Sequence, residues 1–152
     1  MLLRELANSG IRLPEIGLGT WNYCGGIEPH RAAIEYGACL IDTAVAHGTE
    51  EIVGEAIKGR RHQVFLATEV LPRNFKRPDL ITTAERSLRQ LGTDHVDLYQ
   101  VHWPNLTIPI EEPIRGMEEL VDAGKTSAWG KNARSSSTRQ TANHLADLEL
   151  SQ

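Results

Sequence analysis

Residues 63–102 read QVFLATEVLPRNFKRPDLITTAERSLRQLGTDHVDLYQVH, and this stretch decides the fold. Gln63–Val70 and His95–His102 are short apolar runs rich in β-branched and aromatic residues, the pattern of buried strands. Between them, Pro78–Leu91 has helical periodicity and a glycine, Gly92, where it should stop. The unit is strand, helix, strand, which predicts a parallel pair joined by a crossover helix.

The same unit repeats in both directions. Upstream, Thr49–Lys58 places Ile52, Val53, Ala56 and Ile57 on one helical face and ends at Gly59. Ala38–Thr43 reads as a strand, and a helix from about Pro29 to Tyr36 precedes it, with Gly37 as its stop. Glu15–Thr20 reads as a further strand. Arg4–Leu6 and Ile11–Leu13 flank Asn8-Ser9-Gly10 as a small hairpin. Downstream, Ile110–Ala123 is helical up to Gly124, and Lys125–Trp129 begins another strand. Four βα repeats imply an α/β parallel sheet, either doubly wound or a barrel. The segment Gly17-Leu18-Gly19-Thr20-Trp21-Asn22 lacks the third glycine of a dinucleotide fingerprint. The barrel is therefore expected. A closed (β/α)8 barrel of the TIM type takes about 250 residues, so this chain is read as a truncated one, a half-barrel of about four units. Residues 1–130 form that domain. Residues 131–152 form a divergent tail containing Ser135-Ser136-Ser137, in which Thr138–Leu150 is either an amphipathic helix or loosely ordered.

With 152 residues, 40% hydrophobic and 24% charged, the composition suits one domain with a core. A net charge of −4 gives no basic footprint for nucleic acid. No apolar run is long enough for a membrane span, and the first ten residues lack a secretory h-region. Cys24 and Cys39 are expected to be reduced thiols in a cytoplasmic protein. His30 and His62 are placed on surface segments, and the Arg60-Arg61 pair is read as solvated charge.

Strand alternation then locates a site. Ala38, Leu40 and Asp42 share one face, as do Phe65, Ala67 and Glu69, and Val96, Leu98, Gln100 and His102. Each set ends in a polar residue at or near a strand's C-terminal end, where barrel enzymes carry their chemistry. Asp42, Glu69 and His102 should converge, with His47 leaning over from the loop after Asp42.

Several motifs, in order, resemble the aldo-keto reductase family. They are Gly17-Leu18-Gly19-Thr20-Trp21, Ile41-Asp42-Thr43-Ala44, Gly48 to Gly54-Glu55-Ala56-Ile57, Val64-Phe65-Leu66-Ala67-Thr68, Asp97 to Pro104, and Glu118 to Lys125. The resemblance implies NADPH-dependent carbonyl reduction by an Asp, Tyr, Lys and His tetrad. Asp42 and His102 match two of these positions. His47 stands where the family's tyrosine donates a proton, and Glu69 stands where its lysine lowers that tyrosine's pKa. The family also holds NADPH largely through the second half of its barrel, so NADPH is not expected as a cofactor here.

With the lysine gone, two carboxylates face each other, and a shared proton or a cation must relieve them. Two carboxylates and two imidazoles suit zinc, manganese or iron. The expectation is a divalent metal held by Asp42, His47, Glu69 and His102, serving a hydrolase of phosphoester, phosphotriester or carboxyl-ester bonds in a small-molecule substrate. Trp21, Tyr23 and Trp103 would line its pocket. The alternatives are a residual or inactive NADPH-dependent reductase remnant and a non-enzymatic assembly module. Open strand edges and an exposed inner face predict a homodimer.

Overall fold

The computed structural model describes residues 2–6 and 10–131. Its centre is a five-stranded sheet of β3 (Leu18–Gly19), β4 (Leu40–Asp42), β5 (Phe65–Val70), β6 (Val96–Val101) and β7 (Thr126–Lys131), paired in that order. Every pairing in it is parallel. Ahead of it, β1 (Leu3–Glu5) and β2 (Arg12–Pro14) form an antiparallel hairpin. Four helices fill the crossovers: α1 (Glu28–Glu35), α2 (Glu50–Ile57), α3 (Arg77–Leu91) and α4 (Glu111–Asp122). Each predicted element is present with ends moved by a few residues. The predicted turn at Asn8-Ser9 and the tail helix lie outside the described residues.

The helices start and stop for local reasons. Pro29 and Pro78 occupy first-turn positions, where a missing N–H costs nothing. Glu50, Glu51, Asp79, Glu111 and Glu112 place negative charge at helix N-termini. Gly92 closes α3 in the left-handed conformation, at φ 63°, with its N–H bonded back to the last turn.

One face of the sheet packs on these helices. Ile41, Leu66, Val70 and Tyr99 are buried there against Val53, Ile57, Leu80, Leu91 and Met117. Close approach depends on two glycines. A Cβ on Gly54 would lie 2.7 Å from the Leu91 carbonyl oxygen, and one on Gly116 would lie 3.0 Å from Leu80 Cδ2. The other face is concave. Leu18, Leu40, Phe65 and Leu98 are only half-buried on it, and with Leu6 and Leu13 they line an open concavity of about 900 Å³. This is the inner surface of a barrel with about half its wall. The parallel strand order and the helical outer layer match the expected half-barrel.

Two residues depart from expectation. Arg61 is not a solvated loop charge. Its guanidinium donates to the Val64 and His95 carbonyls at 2.7 and 3.1 Å and to Asp97 Oδ2 at 2.7 Å. Asp97 in turn accepts from the Leu66 N–H at 2.7 Å, so the pair ties the starts of β5 and β6 together. His30 is not on the surface either. It is fully buried, because α1 turns it inward under the ring of Tyr23, 4.6 Å away edge to face.

Candidate functional site

Parallel register sets the depth of each inward side chain. Gly19 pairs with Asp42, Asp42 with Ala67, and Ala67 with Leu98, which makes one layer across the sheet. Glu69 pairs with Gln100 and belongs to the next layer toward the C-terminal ends. His102 follows β6, its N–H bonded to the Val70 carbonyl at 3.1 Å. His47 ends a short 3-10 turn, Val45–His47, that left-handed Gly48 terminates at φ 66°.

The structure therefore brings three of the four expected polar residues into one cluster. Potential ligand atoms of His47, Glu69 and His102 lie within 4.8 Å of one another. Asp42 lines the same concavity but is not a member of that group, since its register puts it a layer lower. Glu69 is 1% exposed. Its Oε2 lies 3.2 Å from His102 Nδ1, an ion-pair distance without the alignment of a hydrogen bond. Burial lowers the pKa of His102. Burial, and secondarily the His102 charge, lowers that of His47. Both rings are therefore mainly neutral near pH 7.

Aromatic rings frame the mouth. Trp21 meets the His47 ring at 5.2 Å and Trp103 meets the His102 ring at 4.2 Å, both edge to face. Tyr23 does not belong to the pocket. Its hydroxyl donates to the Gly26 carbonyl at 2.7 Å, which turns the ring away toward His30.

Sequence reading missed a layer behind His47. Thr20, Thr43 and Thr49 are buried, and their hydroxyls form a closed triangle with sides of 3.0, 3.0 and 2.8 Å. His47 Nδ1 lies 3.0 Å from the Thr20 hydroxyl. The available signal was positional: Thr20 and Thr43 each directly follow a paired inward residue at a strand end, and Thr49 precedes α2.

A site at the C-terminal ends of barrel strands, with an aspartate, a strand-end histidine and a loop residue over the mouth, is the arrangement that the sequence motifs implied. The model of the Aldo/keto reductase family matches residues 15–149. The chain belongs to the aldo-keto reductase family. It is 43% identical to the aldo-keto reductase YhdN of Bacillus subtilis, covering 97% of this chain and 52% of that protein. It is 41% identical to the methylglyoxal reductase YeaE of Escherichia coli, covering 79% of this chain and 45% of that one. Among solved structures, it superposes with a TM-score of 0.75 on a Klebsiella pneumoniae aldo/keto reductase in complex with NADP and acetate. That match has 40% identity and covers 79% of this chain and 46% of the other. The chain thus spans about half the length of the curated relatives it matches.

These relationships overturn two expectations. A metal-dependent hydrolase, with zinc or manganese as cofactor, does not stand against relatives that are reductases and structural neighbours that hold NADP or NADPH. The expectation that NADPH has no place in this protein falls with it. Asp42 and Glu69 do not confront each other within one layer, because the strand register sets them in successive layers.

Proposed function

We propose that this aldo-keto reductase chain supplies the carbonyl-binding half of an NADPH-dependent reductase, with His47 as the proton donor. The observation that carries the reading is His47 itself, which lines the concavity and sits in the donor position of the family motif beside Asp42 and His102. Leu18, Leu40 and Phe65 give the concavity apolar walls, while Gln100, Asp42 and His102 give it polar ends. Those donors and acceptors fit a small carbonyl compound and the nicotinamide carboxamide of the cofactor. Among the described residues, no lysine or arginine lines it, so the diphosphate finds no charge partner there.

Bound NADPH supplies a hydride. The chain's own part is acid–base work and positioning. The imidazolium form of His47 gives a proton to the carbonyl oxygen and becomes neutral as the alcohol forms. His102, half-enclosed by Trp103 and Glu69, forms the second polar wall and orients that oxygen. The substrate class is a small aldehyde or ketone, as the methylglyoxal reductase relative suggests.

The test is NADPH oxidation by the purified chain with methylglyoxal and simple aldehydes, with His47→Ala as the comparison. Slow turnover that falls at least tenfold in the variant is the expected result. Turnover absent from the wild type, or equal in both, overturns the reading.

A further inference from the structure

Four contacts link the hydroxyls of Thr20, Thr43 and Thr49 and the His47 ring, and only three hydroxyl hydrogens are available to make them. The Thr20 hydroxyl donates to Thr43, and Thr49 donates to Thr20. A threonine hydroxyl has one hydrogen, so Thr43 must donate to Thr49 to close the triangle. Reversing the ring spends the same three hydrogens. The fourth contact, between Thr20 Oγ1 and His47 Nδ1 at 3.0 Å, then needs its hydrogen from the imidazole. Otherwise one of these buried contacts would be left facing without a proton, which is unfavourable away from water.

We propose that Thr20, backed by Thr43 and Thr49, is a positioning residue that locks neutral His47 in the Nδ1–H tautomer, leaving the Nε2 lone pair to act on the concavity. The tautomer follows from the hydroxyl count alone; its catalytic meaning rests on the reductase reading. In this tautomer the neutral ring is a base at Nε2, ready to accept a proton from an alcohol. It becomes the acid for carbonyl reduction only after Nε2 is protonated. A tyrosine at this position would have no such requirement, since the neutral phenol already carries the proton it gives. The three threonines therefore bias the site toward the alcohol-oxidising direction at neutral pH.

The experiment is long-range 1H–15N correlation NMR of the full chain at pH 8, with His47 assigned through His47→Gln. Nδ1 at the pyrrole-type shift and Nε2 at the pyridine-type shift is the expected result. Thr20→Val should move the two signals toward a mixture, and Thr20→Ser, which restores the hydroxyl, should return them. An Nε2–H ring in the wild type overturns the proposal. So does a pattern that Thr20→Val leaves unchanged while Thr20→Ser confirms a folded chain. Neither readout needs turnover: a locked Nδ1–H ring in a chain without carbonyl reduction would sink the reductase reading and leave this one standing.

Discussion

Glu69 Oε2 and His102 Nδ1 stand 3.2 Å apart on a nearly enclosed floor, where the family motif places a lysine ammonium instead. A cation at position 69 and a histidine donor at position 47 work against each other, because a nearby positive charge disfavours the imidazolium. A cation with a phenol works in concert, because it lowers the phenol's pKa. Glu69→Lys alone should therefore lower carbonyl reduction. The paired His47→Tyr and Glu69→Lys variant should exceed the product of the two single effects by about tenfold, a coupling of roughly 1.4 kcal/mol. Steady-state NADPH oxidation by the four proteins measures it. Simple additivity would show that the two positions do not share a site.

The pH dependence of reduction should follow His47. Its pKa lies below 6.5, first through burial and then through the charge of His102. The groups facing it from the neighbouring strands are Asp42, Glu69 and His102. Reduction needs the imidazolium, so kcat/KM should rise as pH falls below 7. Above the pKa it should drop by about tenfold per pH unit. Alcohol oxidation should show the opposite slope. Profiles of both directions, with His47→Gln as a pH-flat control, decide it; parallel slopes would exclude His47 as the donor.

Much of this was legible in sequence because strand alternation and glycine stops are local. They placed Leu40, Asp42, Phe65, Glu69, Leu98 and His102 on the inner face, where the structure has them. Inter-strand register is not local. It depends on how far β4, β5 and β6 slide past one another, and that offset decides that Asp42 sits a layer below Glu69. Tyr23 and His30 were misread together for a similar reason, since their contact closes a loop whose path no periodicity describes. The threonine triangle draws on three separate segments and gives no pattern within any one of them.

The 152-residue chain should self-associate. Its relatives are about twice as long, and here β3 and β7 are the outer strands of the described sheet. Leu18, Leu40, Phe65 and Leu98 remain half-exposed on the concave face. In a purified sample, we propose that a second copy covers the lower layers of that face, below Glu69 and Gln100, and leaves the mouth at the C-terminal strand ends open. Light scattering on a sizing column should give twice 16.9 kDa. Phe65→Glu should dissociate the pair. A monomeric wild type would refute this assembly.

Gly54 limits the spacing of α2 and α3. A methyl group there would meet the Leu91 and Gln90 carbonyl oxygens at 2.7 and 2.8 Å, both rigid backbone atoms. The helices would have to part, which loosens the packing of Val53, Ile57, Leu88 and Leu91. Gly54→Ala gains helix propensity of up to about 1 kcal/mol, yet overpacking costs about 1–3 kcal/mol. The overpacking term should win because neither neighbour can rotate aside. Urea denaturation should show a lower midpoint, whereas Gly26→Ala, where a Cβ meets nothing within 4 Å, should change little.

Acid should destabilise the fold through His30. The ring is fully buried, and neither of its nitrogens makes a well-aligned hydrogen bond among the described residues. Burial lowers its pKa from 6.5, against a weaker raising pull from the Gly26 carbonyl. The unfolded chain therefore binds this proton more readily than the folded one. The neutral ring's contribution is complete above the unfolded value, about 6.5, and is lost as pH falls through it toward the lower folded value. Melting temperature should decline between pH 7.5 and 5.5, over and above any drift shared with His30→Phe, which cannot be protonated and keeps a ring beside Tyr23. If the variant and the wild type lose stability in parallel, the acid sensitivity belongs to other groups, and the buried imidazole is not what the proton reaches first.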